Sequence, residues 1–250
     1  MLEIKELCSG YGKKQVLNSV SLELEKGRLI SVVGPNGSGK STLLKPLVGI
    51  NRVFSGDITV DGIPLSSLTS RERARKFSYL SQGMTLPDMT VEEVVLQGRF
   101  PHLSYPCVYT EQDKELSVEA MRRVGILPLA QNSLSSLSGG MRQSVFIAMA
   151  LAQNTDYILL DEPLTYLDVS HQAELMRLLK ELAEEGRCVV TVTHDLPLAF
   201  NFSDSVAVIS NGSVLLHGAP CEACENGCID TLFGVQIINT EYGYILNNMR

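Results

Sequence analysis

Four groups of residues in this chain have the types and spacing for chemistry on a phosphate. The first, Gly34-Pro35-Asn36-Gly37-Ser38-Gly39-Lys40-Ser41-Thr42, fits the pattern G-x-x-x-x-G-K-[ST] in full. Its glycines let the backbone curl so that successive N–H groups point into one concavity, and a following helix adds the positive end of its dipole. Lys40 would then reach the β- and γ-phosphates of a nucleotide, and Ser41 would hold Mg²⁺. The second is Asp161-Glu162, which ends an apolar run. Side chains of adjacent residues diverge, so Asp161 would complete the Mg²⁺ shell through water while Glu162 orients and polarises the attacking water. His194 ends another apolar run and could contact the γ-phosphate and link it to that water. Gln82 follows a third run. Alone, an Asp-Glu pair at the end of a strand is two solvated charges; beside a complete phosphate loop it reads as a hydrolytic pair.

These groups need elements that deliver them to one place. Leu29–Val33, Phe77–Leu80, Tyr157–Asp161 and Cys188–Thr193 read as buried strands, separated by helical patterns such as Ser170–Glu185. Such alternation predicts an α/β fold with a mostly parallel sheet, whose ligands sit at the carboxyl ends of the strands. All four groups fall at such ends. Before them, Met1–Leu7 and Val16–Leu24 alternate as half-exposed strands do, with Val16, Val20, Leu22 and Leu24 as the apolar set. A helix-like segment, residues 42–48, follows the loop, and Pro46 predicts a bend or an early end near Lys45. Thr69–Glu72 and Thr90–Glu93 are capping boxes. Thr110–Val124 reads as a helix with Leu116, Ala120 and Val124 on one face, and Met141–Gln153 as another. The stretch from Met84 to about Asn154 is therefore expected to be a helical insert. Asn211-Gly212 is a hairpin turn between Ser205–Ser210 and Val214–His217.

The 250 residues carry a net charge of −7, which gives no general attraction to nucleic acid or anionic lipid. The basic helix at Arg71, Arg73, Arg75 and Lys76 reads as a solvated face rather than an RNA patch. No apolar run approaches the ~20 residues of a membrane span, and the amino-terminal stretch is not a signal peptide. A soluble, cytoplasmic chain with reduced thiols is the expectation. Cys221, Cys224 and Cys228 cluster, but no local fourth ligand completes an iron–sulfur or zinc spacing, so ordinary thiols are expected there. Tyr11, in a glycine turn, either stacks on a nucleotide base or covers the sheet edge.

Leu137-Ser138-Gly139-Gly140-Met141-Arg142-Gln143 resembles the signature motif of ATP-binding cassette (ABC) ATPases, and nearly the whole chain follows the cassette order. The resemblance implies a P-loop NTPase with a RecA-like core and an amino-terminal antiparallel β subdomain (residues 1–84 and 155–250), and an inserted α-helical signature subdomain (residues 85–154). In its terms Tyr11 matches the adenine-stacking loop, Gln82 the Q-loop that also reaches Mg²⁺, Glu162 the base, Asp168 the D-loop and His194 the switch histidine. Leu164 stands where threonine is common and Met141 where glutamate or glutamine is common; neither position must do chemistry. Physically, Ser138 caps a helix, so Ser138, Gly139 and Gly140 form a second anion site at a helix N-terminus. The resemblance implies that a second copy uses it, in a head-to-tail dimer holding two Mg-ATP.

Val95–His102, with Gly98-Arg99-Phe100-Pro101-His102 at its core, looks like the cassette subgroup that energises importers of ferric siderophores, haem and cobalamin. That implies membrane permease subunits as partners, indirectly an extracytoplasmic binding protein, and a peripheral place on the cytoplasmic face of the membrane. In plainer physical terms the same residues are a helix terminator with a packed ring. A soluble, non-transport cassette, an importer ATPase for another small substrate, and an ATP-binding regulator without turnover are the competing readings.

Overall fold

The computed structural model describes residues 1–83, 88–241 and 243–248. Strands β1 (Leu2–Tyr11) and β2 (Lys14–Leu24) pair antiparallel. In β2 the buried set is Leu17, Val20, Leu22 and Leu24, whereas Val16 is only half-buried. Ser19 has φ 51° and the β1–β2 register shifts between the Val20 and Leu17 pairs. A bulge therefore resets the alternation, and a strict period of two picks the wrong residue at this point. β3 (Arg28–Val33) enters the phosphate loop, and α1 (Lys40–Leu44) leaves it. The helix begins two residues before the expected Thr42 and ends early, with Lys45 as its C-cap, as Pro46 predicts, since the ring would displace a helical hydrogen bond. β4 (Arg52–Val60) and β5 (Ile63–Pro64) complete an antiparallel sheet of order β2-β1-β4-β5.

Both capping boxes form: Thr69 opens α2 (Ser70–Lys76), which runs into β6 (Phe77–Leu80), and Thr90 opens α3 (Val91–Leu96). A 3₁₀ helix over Gln97–His102, α4 (Glu111–Arg123) and α5 (Gly139–Ala152) follow. The described residues between β6 and β7 are thus helices and connections, and the edge of the helical insert expected at residue 84 or 85 lies outside the described residues. On α4 the buried face is Asp113, Ser117, Ala120 and Met121; Leu116 and Val124 are only half-buried. A carboxylate in that face was not anticipated from its polarity. It is stabilised there by Arg99, whose Nε donates to Asp113 Oδ1 at 2.9 Å. Burial would push the Asp113 carboxyl up, but the Thr110 cap and Arg99 outweigh it and hold it below the ordinary range.

The chain returns through β7 (Tyr157–Asp161), α6 (Val169–Glu184), β8 (Cys188–Val192), α7 (Leu196–Phe202), β9 (Ser205–Ser210) and β10 (Ser213–Gly218). The central sheet has the order β10-β9-β3-β8-β7-β6, parallel except for β10. Past Arg28, no residue of β3 is more than 1% exposed, and β8 is fully buried. Strands covered on both faces read as near-continuous apolar runs for this reason. On one face Leu29, Ile158 and Leu160 pack with the helical insert and α6; on the other Ile30, Val32 and Leu159 pack with α1 and the antiparallel sheet. The chain ends in α8 (Pro220–Asn226), α9 (Cys228–Phe233) and a hairpin of β11 (Val235–Thr240) and β12 (Gly243–Asn248). All six cysteines carry free thiols. Among the described residues no helix is long and apolar enough to cross a membrane, and no cluster of His, Cys, Asp and Glu could hold a metal ion.

Asp61, in the β4–β5 turn, ties the antiparallel sheet to the central one. It accepts from the Tyr157 hydroxyl at 2.7 Å and pairs with Lys26 and Lys76, each at 3.3 Å. Burial raises its carboxyl, but Tyr157, the amino terminus, Lys76 and Lys26 together drive it well below the usual carboxylate range. A depressed carboxyl contributes stability above its unfolded value, about 3.9, and loses it as pH falls towards the folded one. The lysines are partly exposed, so their share is screened. Asp61→Asn, which keeps an acceptor for Tyr157 but loses the charge that strengthens that bond, should therefore cost about 1–2 kcal/mol in urea unfolding at pH 7. The gap to the wild type should close below about pH 4. A gap independent of pH would contradict this account.

Candidate functional site

The four groups of polar residues meet at adjacent strand ends, because β3, β8, β7 and β6 lie side by side. A cleft of about 720 Å³ is lined by Tyr11, Asn36, Gly37, Gly39, Lys40, Ser41, Thr42, Gln82, Glu162 and His194, together with Lys14 and Val16. The loop itself is shaped by two tight approaches. A Cβ on Gly34 would lie 2.1 Å from the Ile209 carbonyl oxygen, and Gly39 has φ 107°, in the left-handed region that favours glycine. Lys40 is 6% exposed and folds back to donate to the carbonyls of Gly34 at 2.8 Å and Pro35 at 3.0 Å. Burial lowers its ammonium against the pull of Glu162 and Asp161.

Ser41 Oγ donates to Asp161 Oδ1 at 2.7 Å. A hydroxyl and a carboxylate side by side at the first turn of a helix are hard oxygen donors of the kind Mg²⁺ takes. Asp161 also accepts from the Tyr79 hydroxyl at 3.3 Å. Burial first, then the Asp161 charge, pushes that phenol up, so it stays a donor. Gln82 Nε2 donates to Glu162 Oε2 at 2.8 Å. Glu162 has φ 53°, while its N–H donates to Val192 O at 3.0 Å, one step beyond the β7–β8 pairing. The strand is thus held to its neighbour while its last residue turns out of plane, a conformation costing about 1–3 kcal/mol and one that places the carboxylate in the cleft. His194 is exposed at the same cleft.

Tyr11 ends β1 at the rim and is 47% exposed. Its hydroxyl accepts from Lys45 Nζ at 2.8 Å, and that ammonium stands 5.1 Å from the ring centre. Burial raises the phenol, but Lys45 and Thr42 outweigh it and lower it. The hydroxyl end of the ring is thus tied to Lys45, and the residue lines the cleft.

Ser138, Gly139, Gly140 and Asp168 are not in this cleft. Ser138 caps α5, accepting from Met141 N at 3.3 Å. Gly140 packs so closely that a Cβ would stand 3.0 Å from Tyr166 O. With Asp168 these residues line a separate cleft of about 620 Å³. Asp168 caps α6 and is held down to about 2 by the His171 N–H, the Ser170 hydroxyl and the His171 ring.

Sequence reasoning missed Lys14, Val16 and Tyr79. Lys14 pairs with Tyr11 across the β1–β2 turn, so a lysine three residues after Tyr11 in a glycine turn was a signal. A tyrosine in an otherwise buried strand next to Asp161's strand was another.

A family model described as ABC transporter matches residues 17–165. The chain is 38% identical to a petrobactin import ATP-binding protein of Bacillus anthracis, over 94% of this chain and 87% of the relative. It is 39% identical to the ferric enterobactin transport ATP-binding protein of Escherichia coli, over 93% and 86%. Among solved structures, a dimeric bacterial ABC transporter cassette superposes with a TM-score of 0.78 at 29% identity, covering 88% of this chain and 99% of that one.

Lys40→Ala should weaken ATP binding about 30–100-fold in equilibrium dialysis, the worth of one charge-assisted phosphate contact, with an unchanged circular dichroism spectrum. A change below about threefold would mean that Lys40 does not face the phosphates.

Proposed function

This chain belongs to the ABC transporter family, and we propose that within it the chain is the ATP-hydrolysing subunit of an importer for ferric siderophores. The observation that carries this is the division of polar residues between two clefts. One holds a phosphate loop, a hydroxyl–carboxylate pair, a base and a histidine; the other holds the amino ends of α5 and α6, with Ser138 and Asp168 as their caps. ATP binds along Gly34–Thr42, with Tyr11 beside the adenine. Ser41 and Asp161, with Gln82, would hold Mg²⁺, which when bound neutralises charge on the β- and γ-phosphate oxygens. Glu162 accepts a proton from the attacking water as its oxygen bonds to the γ-phosphorus and the bond to the ADP oxygen breaks. His194 donates to a γ-phosphate oxygen, and Lys40 offsets charge on the β- and γ-oxygens.

Residues 85–154 then act as the signature-bearing subdomain. Ser138–Gly140 lie outside their own chain's nucleotide cleft, so a second copy, packed head to tail, brings them to the γ-phosphate. Loss of that phosphate removes the contact and opens the pair. The opening drives permease subunits in the membrane, to which the chain binds on the cytoplasmic side. The choice of ferric siderophores is supported by the relatives' names and by the Gly98–His102 stretch. Purification with a polytopic membrane protein and ATP-dependent uptake of a ferric siderophore into vesicles test that choice. Recovery of the chain with soluble partners only would argue against it.

Glu162→Gln should leave ATP binding intact and lower phosphate release by about 10²–10⁴. It should also accumulate an ATP-bound dimer in light scattering. Full turnover in this variant would remove Glu162 from the role of base.

A further inference from the structure

The Gly98–His102 stretch has a structural role that neither its exposed ring nor the nucleotide cleft accounts for. It grips the carboxyl end of α5, the helix that carries Ser138 at its other end. Gly98 lies against that helix so closely that a Cβ would be 2.2 Å from Met149 O. Arg99 is 6% exposed and donates through Nη1 to Ala152 O at 2.9 Å and Gln153 O at 3.1 Å. These are terminal carbonyls of a helix, where a cation meets the negative end of the dipole. Asp113, also 6% exposed, holds Arg99 in place through Nε. His102 Nε2 stands 2.9 Å from the same Gln153 carbonyl.

From this knot, ties run to the sheet layer. The Gln153 side chain donates to the carbonyls of Ala74 and Phe77, where α2 passes into β6. Arg71 and Arg75 of α2 both donate to Pro101 O, at 3.1 and 2.9 Å. The apolar packing of Val145, Phe146, Ala148 and Leu151 holds α5 in the core, and the polar ties at its carboxyl end add directional contacts to that packing. At the amino end a polar tie runs from Gln143 Nε2 to Pro163 O at 3.1 Å. A 14-residue helix is about 21 Å long, so a small pivot at one end displaces the other by ångströms.

We propose that Arg99 is a positioning residue: it fixes the carboxyl end of α5 to the sheet layer and thereby sets where Ser138–Gly140 stand for a second copy's nucleotide. This rests on the head-to-tail dimer proposed above, and the test separates the two. The full-length chain with Glu162→Gln is titrated with ATP and its dimer fraction is read by light scattering. The affinity of a fluorescent ATP analogue for the monomer is read in parallel. Arg99→Gln with Asp113→Asn, which leaves no lone buried charge, is added in the same background. The ATP needed for half dimerisation should rise about tenfold, an ordinary size for coupling between sites, while monomer affinity is unchanged. Arg99→Lys keeps the charge but loses the fork, and should fall between. If the double variant does not fold, Arg99→Lys alone carries the test with the same expected direction. A Glu162→Gln chain that forms no ATP-dependent dimer overturns the dimer reading. A normal dimer in that background, with no shift in any folded variant, overturns the role of Arg99. Equal losses in dimer formation and monomer affinity overturn it too, since they mark a general loss of structure.

Discussion

The hydrogen bond between Ser41 Oγ and Asp161 Oδ1 joins residues 120 apart in sequence at one point of the cleft. Everything else in the site depends on how that approach is made. β3 and β7 are not neighbours; β8 lies between them. Strands in a sheet are about 4.8 Å apart, so the two ends are about 10 Å apart across β8. The gap is closed because α1, which leaves the phosphate loop, begins at Lys40 and places Ser41 in its first turn. It is also closed because Asp161 is the last residue of its strand, 2% exposed, with its carboxylate at the sheet's end. A different strand order would leave the same residues present and the site absent.

Glu162 shows the same dependence one residue later. Its backbone still pairs with β8 through Val192 O, yet its φ of 53° is left-handed. The ladder holds the backbone, so the strain cannot relax by fraying, and the carboxylate stays within 2.8 Å of Gln82. Two adjacent carboxylates acquire different surroundings. Asp161 meets two hydroxyls, from Ser41 and Tyr79, and Glu162 an amide. One dipeptide thereby carries two carboxylates with different partners, the division that the proposed mechanism uses.

Signals local in sequence were legible. The phosphate loop, the near-continuous apolar strands, the boxes at Thr69 and Thr90 and the stop before Pro46 each depend on a few consecutive residues, and each is visible as a pattern. What was not legible depends on partners distant in the chain. Leu17 replaces Val16 in the core because a bulge at Ser19 shifts the face, and a bulge leaves no fixed mark in an alternating strand. Asp113 is buried because Arg99 is, 14 residues away, and neither is recognisable as core by type. The closing hairpin was missed because Val235–Thr240 and Gly243–Asn248 mix asparagines among the apolar residues and cover only the satellite core around Phe200. Lys14, which lines the cleft, and Tyr79, which supports Asp161, belong to the same class: their roles exist only once β1, β2 and β6 are placed.

The second cleft raises an electrostatic question, because a carboxylate, Asp168, lines it beside the helix N-terminus that would receive a phosphate. Repulsion between the two would work against the head-to-tail arrangement. The structure disposes of that charge locally. Asp168 accepts from the His171 N–H at 3.0 Å and from the Ser170 hydroxyl at 2.8 Å, and its carboxylate sits at the positive end of α6. It is thus compensated by its own helix. The amino end of α5 has no acidic residue in its first turn. Its only side-chain cap is the neutral Ser138 hydroxyl, so its N–H groups keep their capacity for an anion. Met141, where the cassette pattern usually carries glutamate or glutamine, acts in the same direction by keeping a carboxylate out of that turn. The two helix starts that share this cleft therefore differ in kind: α6 is closed by a charge of its own, and α5 is left open to a charge from elsewhere.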